Sequence, residues 1–223
     1  MSSISMPYII FDNDHGGIRP PWFSLFVTAG AAILYLLLGP APEHLVFDRF
    51  AVQQGEWWRL ITGHLVHGDF SHACWDVLAF CLISVPLEIL ERKDPVLVTP
   101  VAVILIDAWL WIGLPELDRY AGLSGIINAL FPLLLYRLWQ RTKHPIIAII
   151  AALAASKLII EAFTGQAIVT NTLWPSLPSV HVMGVIAAVL FIMTGNLTAR
   201  CRSTIRKQKI PSSLRYNRPG ARD

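Results

Sequence analysis

A serine, two histidines and an aspartate stand near the starts of three separate apolar segments. Ser124 lies in Gly122-Leu123-Ser124-Gly125, His181 in Ser179-Val180-His181-Val182-Met183-Gly184, and His72 follows Ser71 with Asp76 four residues on. These types suit acyl transfer. A serine hydroxyl is a weak nucleophile until a neighbouring base takes its proton, and histidine does that near neutral pH. The developing oxyanion then needs donors. Backbone N–H groups around Leu123 and Ser124, in the first turn of a helix, have no internal partner, and His72 adds a side-chain donor. Asp76 donates only when protonated; ionised, it orients His72 or water instead. Each residue also has a plainer reading. Ser124 can bond its own helix carbonyl, and His181 and His72 can be interfacial histidines. Their occurrence together favours chemistry.

Small residues frame the pair. Gly125 and Ala129 are four apart, as are Gly184 and Ala188. Such faces let helix backbones approach closely, which a serine on one helix and a histidine on another require. Either face alone reads equally well as a helix-association surface.

The elements that must position these residues are membrane spans. The 223-residue chain is 54% hydrophobic and 15% charged, whereas soluble domains carry about 25% charged residues. Six apolar segments, near 22–39, 71–90, 95–114, 123–139, 145–163 and 179–199, predict an all-α, polytopic six-span bundle over 22–199. Residues 1–21 form an N-terminal segment that lacks signal-peptide character, so the first apolar segment is expected to remain as a span. Residues 200–223 form a basic tail, read as a cytoplasmic anchor rather than a nucleic-acid-binding arm. The stretch from Pro40 to Phe70, with Trp57 and Trp58, is expected to be a half-submerged amphipathic loop.

Basic residues orient the bundle. Arg19, Arg92, Lys93, Arg137, Arg141, Lys143 and eight in the tail fall on one side, fourteen in all; Arg49, Arg59 and Arg119 fall on the other. Both termini are therefore expected in the cytoplasm. Spans two, four and six then enter from outside, which brings His72, Ser124 and His181 to one depth.

Lys157 and Glu161 share span five. A mid-span lysine costs about 2.5–3.5 kcal/mol on insertion scales, and Glu161, one turn away, can pair with it. A structural ion pair and a substrate-recognition group are both open readings, and the lone Asp107 on span three has no evident partner. Cys74 and Cys81 are separated by about 10 Å of helical rise, too far for a disulfide. With Cys201 they read as packing or surface thiols. His64, His67 and His72 hint at a metal, but no HExxH motif accompanies them. No metal or other cofactor is expected. Broken helices in matched halves, which would suggest a transporter, are not evident.

Taken together, these residues resemble the rhomboid family of intramembrane serine proteases. Gly122-Leu123-Ser124-Gly125 matches its GxSG motif, His181, Gly184 and Ala188 its last core helix, and Trp58-Arg59 its first-loop pair. The family's HxxxN stands here as His72-Ala73-Cys74-Trp75-Asp76, with aspartate where the family has an oxyanion-binding asparagine. The resemblance covers almost the whole chain and implies a Ser124–His181 dyad. Within the family the chain is most similar to the rhombosortases, on its short six-span length and on Lys157 and Glu161. That implies a bacterial inner-membrane enzyme, embedded in lipid, with its active site facing the periplasm. Its expected partners are exported proteins bearing a C-terminal membrane segment with a GlyGly-type tag, and no nucleic acid. The alternatives are a rhomboid protease with other membrane substrates, or an inactive rhomboid-like binding protein.

Overall fold

The computed structural model describes residues 19–165, 174 and 177–208, with side chains through Asn196. Its elements are α1 (Trp22–Leu38), β1 (Phe47–Asp48), α2 (Arg49–Gln53), α3 (Arg59–Thr62), α4 (Phe70–Leu90), α5 (Asp94–Ile112), β2 (Arg119–Tyr120), α6 (Ser124–Thr142), α7 (Pro145–Thr164) and α8 (Pro178–Gln208). The six long helices correspond to the six expected spans, and the all-α polytopic architecture holds. Residues up to Ala188 form one compact unit and those from Val189 a second. All packing described below lies within the first.

Local chemistry starts and stops these helices. The Asp69 carboxylate accepts from the His72 backbone N–H at 2.9 Å and caps α4. Pro145 opens α7 behind the His144 cap. Gly165, at φ +69°, ends α7 in the left-handed region that favours glycine. Helix α8 runs to Gln208, past the expected boundary between span and tail at residue 200. The stretch after Gly195 has no glycine or proline before Pro211 and is rich in arginine, lysine and glutamine, which support helix.

Among the described residues, four helical segments, α4, α5, α7 and Pro178–Asn196 of α8, are long and apolar enough to cross a bilayer. Helix α1 is shorter, at 17 residues. Helix α6 differs for a physical reason. It is packed against α4, α5 and α7, with Ile126, Ile127, Ala129, Leu130, Leu133, Leu134 and Leu135 buried. A helix sheathed by others meets little lipid and need not be apolar throughout, so Arg137 and Arg141 are tolerated at its end. Arg137 pairs with Asp94 at the start of α5 (2.7 and 3.2 Å), and Arg141 donates to the Leu90 carbonyl at the end of α4. Helix α7 is the opposite case. Its apolar side chains point outward, with Leu153 65% and Phe163 88% exposed to what would be lipid.

The first connection is more ordered than a loop. β1 pairs antiparallel with β2, Phe47 opposite Tyr120 and Asp48 opposite Arg119, and so ties this segment to the approach to α6. Arg59 is buried and donates to the carbonyls of Glu43 (2.6 Å) and Val46 (2.9 Å) while pairing with Glu56. Trp58 donates to the His44 carbonyl. The segment's outer face leaves Phe50, Trp57, Trp58 and Ile61 exposed, as an interfacial segment would.

The other end of the bundle depends on a buried carboxylate. Glu88 on α4 accepts from the Ser24 hydroxyl (2.7 Å), the Ser24 N–H (2.8 Å) and the Phe23 N–H (3.2 Å). It satisfies first-turn donors of α1 that have no intrahelical partner. Glu88→Ala leaves those donors buried and unpaired, and should cost about 1–3 kcal/mol. A clear drop in the thermal unfolding midpoint of detergent-solubilised protein is the expected result; an unchanged midpoint would show that the cap contributes nothing.

Candidate active site

Ser124 is the first residue of α6, and His181 lies in the first turn of α8. The two helices meet backbone to backbone. A Cβ placed on Gly184 would overlap the carbonyl oxygen of Gly125 and stand 3.1 Å from the Ala129 nitrogen. Val180 packs against Gly125 in turn. Ser124 precedes Gly125 and His181 follows Val180, so the two side chains start from adjoining first turns. His181 is 8% exposed and Ser124 partly exposed.

The chain turns into α6 through Gly122, at φ +137°, a conformation L residues rarely adopt. Its N–H donates to the Gly63 carbonyl at 3.0 Å. A Cβ there would also lie 2.9 Å from Cε1 and Nε2 of His72 and 3.4 Å from Oδ2 of Asp76. The glycine thus lets the loop lie against the imidazole. Leu123 is fully buried and stands at the N-cap position of α6, and helix geometry leaves the first-turn N–H groups without intrahelical acceptors.

Asp76 sits between two imidazoles. Its Oδ2 is 3.3 Å from Nε2 of His67 and 3.3 Å from Nε2 of His72. The sequence pointed to His72 as its partner and missed His67, which lies in the loop before α4 and is fully buried. Asp107, without an evident partner in the sequence, meets Nε2 of His64 at 3.3 Å. All three histidines that hinted at a metal thus face carboxylates, and among the described residues no cluster of three or more His, Cys, Asp or Glu is disposed to hold a metal ion.

Two further contacts around the site were not foreseen. Tyr120 is buried and donates to the Gly122 carbonyl at 2.9 Å. Burial, followed by the charges of Asp76 and Asp107, pushes its phenol well above the ordinary range and keeps it protonated. Its position two residues before the GxSG turn was the available signal. The second is the contact of Glu161 with His181; the pairing of Glu161 with Lys157 was expected. Lys157 pairs with Glu161 Oε1 at 2.6 Å, and Glu161 Oε2 lies 3.7 Å from Nδ1 of His181. Glu161 is 1% exposed and sits in the last turn of α7, at the same end of the bundle as Ser124 and His181.

A family model described as the Rhomboid domain matches residues 54–198, well over half of the chain. The chain belongs to the rhomboid family and is a multi-pass membrane protein. A curated relative, "Putative rhomboid protease YdcA" of Bacillus subtilis (strain 168), is 29% identical over 126 residues, covering 53% of this chain and 63% of that protein. The chain therefore spans a little under two thirds of the relative's length.

The glycine contacts give a direct test of this packing. Gly184→Ala forces α6 and α8 apart, and Gly122→Ala adds backbone strain to a clash with His72. Each should destabilise by about 1–3 kcal/mol, as overpacking does. Gly30→Ala, where nothing lies within 4 Å, should be neutral or slightly stabilising. Thermal unfolding of the three variants side by side checks the ranking.

Proposed function

We propose that this protein is an intramembrane serine endopeptidase in which Ser124 is the nucleophile and His181 the base. The close approach of Gly184 to Gly125 is the observation that carries the reading, because it sets Ser124 and His181 on adjoining helix turns. His181 takes the Ser124 proton as Oγ attacks the scissile carbonyl, then delivers it to the leaving amine. Water, activated by the same imidazole, releases the acyl group. Backbone N–H groups at the start of α6 are the favoured oxyanion donors. His72 is a weaker candidate, since its Nε2 already faces Asp76. Asp76, with a histidine on each side, serves better as an ionised acceptor that orients them than as a donor.

An inactive rhomboid-like protein is the competing reading. A fluorophosphonate probe should label the wild type and fail on Ser124→Ala. Ser124→Ala and His181→Ala should each abolish cleavage without unfolding the protein, and the double variant should be no worse than either alone, since residues acting as one unit lose activity non-additively. Turnover by folded Ser124→Ala protein would end the serine mechanism.

The basic-residue asymmetry supports cytoplasmic termini and an active site on the outer, periplasmic face of a bacterial inner membrane. A reporter after Asp223 should read cytoplasmic and one within 116–120 external; the opposite pattern would reverse the assignment. For the substrate, the rhombosortase resemblance supports a GlyGly-type tag near a C-terminal membrane segment of an exported protein. A helix hides its carbonyls in internal hydrogen bonds, and glycine is about 1 kcal/mol worse than alanine in a helix, so a glycine pair unwinds readily at the depth of Ser124. Replacing that pair with Leu-Leu should stop processing, as followed by mass spectrometry. Unchanged cleavage would point to broader rhomboid specificity.

A further inference from the structure

Dyad chemistry leaves one feature of the site unused. Glu161 places a buried carboxylate behind His181 on the Nδ1 side, while Lys157 holds its other oxygen. We infer that Glu161 is a positioning residue that orients His181 through Nδ1 and completes a Ser124–His181–Glu161 relay, with Lys157 keeping the carboxylate charged. The inference rests on the proposed serine mechanism and deepens it.

A carboxylate buried to 1% exposure among apolar helices is expensive unless it is paired. Lys157, four residues earlier on α7 and partly exposed, supplies a cation at 2.6 Å. One partner would have sufficed for a structural pair, and such a pair could sit anywhere along α7. This one lies in the last turn, with its second oxygen facing the imidazole.

An imidazole has two nitrogens, and the hydrogen bond made by one decides which tautomer the other presents. With Nδ1–H directed at Glu161, Nε2 carries the lone pair and can accept the Ser124 proton. After that transfer both nitrogens carry protons and the cation stands beside a carboxylate. The Nε2 proton then passes to the leaving amine and the neutral tautomer is restored. Glu161 neither gains nor loses a proton over the cycle. At 3.7 Å the Nδ1–Oε2 contact is longer than a hydrogen bond. A small rotation of either side chain closes it, as happens in catalytic sites that tighten once substrate is bound.

Two readouts test this in the full-length protein in detergent. The first is independent of activity. Long-range proton–nitrogen NMR of 15N-histidine protein, with His181 assigned by difference from His181→Gln, reports the neutral tautomer. Nδ1–H should dominate in wild type, persist in Glu161→Gln, whose amide oxygen can still accept, and give way to a mixture with Nε2–H in Glu161→Ala. The second is kinetic. Glu161→Ala should lower kcat about 10- to 100-fold, the scale of a misplaced catalytic group, with KM within about twofold; Glu161→Asp should recover part of the loss. If Glu161→Ala does not fold, the comparison moves to Glu161→Gln and Glu161→Asp. There, retained Nδ1–H with reduced kcat supports the relay, and full activity in Glu161→Gln with a mixed tautomer overturns it. An unchanged tautomer in folded Glu161→Ala also overturns it. Turnover by folded Ser124→Ala protein would instead sink the serine mechanism, while the tautomer result would still report whether Glu161 orients His181.

Discussion

Backbone contact between α6 and α8 at Gly184 and Gly125 sets the reach of every side chain around Ser124. Helices bearing ordinary side chains pack with axes about 8–10 Å apart. At that spacing a serine and a histidine, both short, do not easily meet across the gap. Removing the Cβ at both positions brings the backbones together, and Ala129 continues the same small face one turn on. The remaining contacts of α6 serve this approach. Arg137 and Arg141 bind the far end of the helix to the start of α5 and the end of α4, which sets its depth. The β1–β2 pairing and the Gly122 N–H to Gly63 carbonyl bond hold the near end.

The protein places ionisable groups among apolar helices and surrounds each with partners. Glu88 caps α1, Asp107 faces His64, Asp76 faces two histidines, and Glu161 faces Lys157 and His181. An unpaired polar group in hydrocarbon costs several kcal/mol, so each carboxylate constrains the elements that carry its partners. Glu88 brings α1 to α4, and Asp107 brings the loop before α4 to α5. These are long-range connections that hydrophobic packing in lipid would not enforce, because lipid tails solvate apolar faces about as well as other helices do.

What was legible in the sequence follows from this. Ser124, His181 and their small neighbours each stand at the start of an apolar segment, so counting spans was enough to bring them to one end of the bundle. Pairs along a single helix, Lys157 with Glu161 and His72 with Asp76, follow from four-residue spacing alone. Partners across elements did not show. His64 and His67 lie in an irregular connection whose path is set by Arg59 and the β1–β2 bridge, neither of which has a periodicity to read. The contact of Glu161 with His181 escaped for another reason. Helix α7 runs opposite to α6 and α8, so the end of its segment, not the start, shares the depth of Ser124. Counting back three residues from the α7 terminus would have found it.

Aspartate in place of the family's asparagine on α4 becomes intelligible once the neighbours of residue 76 are known. An asparagine offers an N–H₂ to an oxyanion, whereas an ionised aspartate would repel one. Two imidazoles alter the balance, because each brings its Nε2 to 3.3 Å from Oδ2 and offsets the carboxylate's charge when protonated. His72 held in this way presents its Cε1–Nε2 edge to Gly122, which is the edge a side chain at that position would strike. On this reading the aspartate bears on the entrance to α6 through His72, whose ring lies against the Gly122 turn. On the serine-protease reading, oxyanion stabilisation then passes from a side-chain amide to the α6 backbone. Such donors are set by the helix itself and cost no reorganisation during reaction, provided residue 122 remains a glycine.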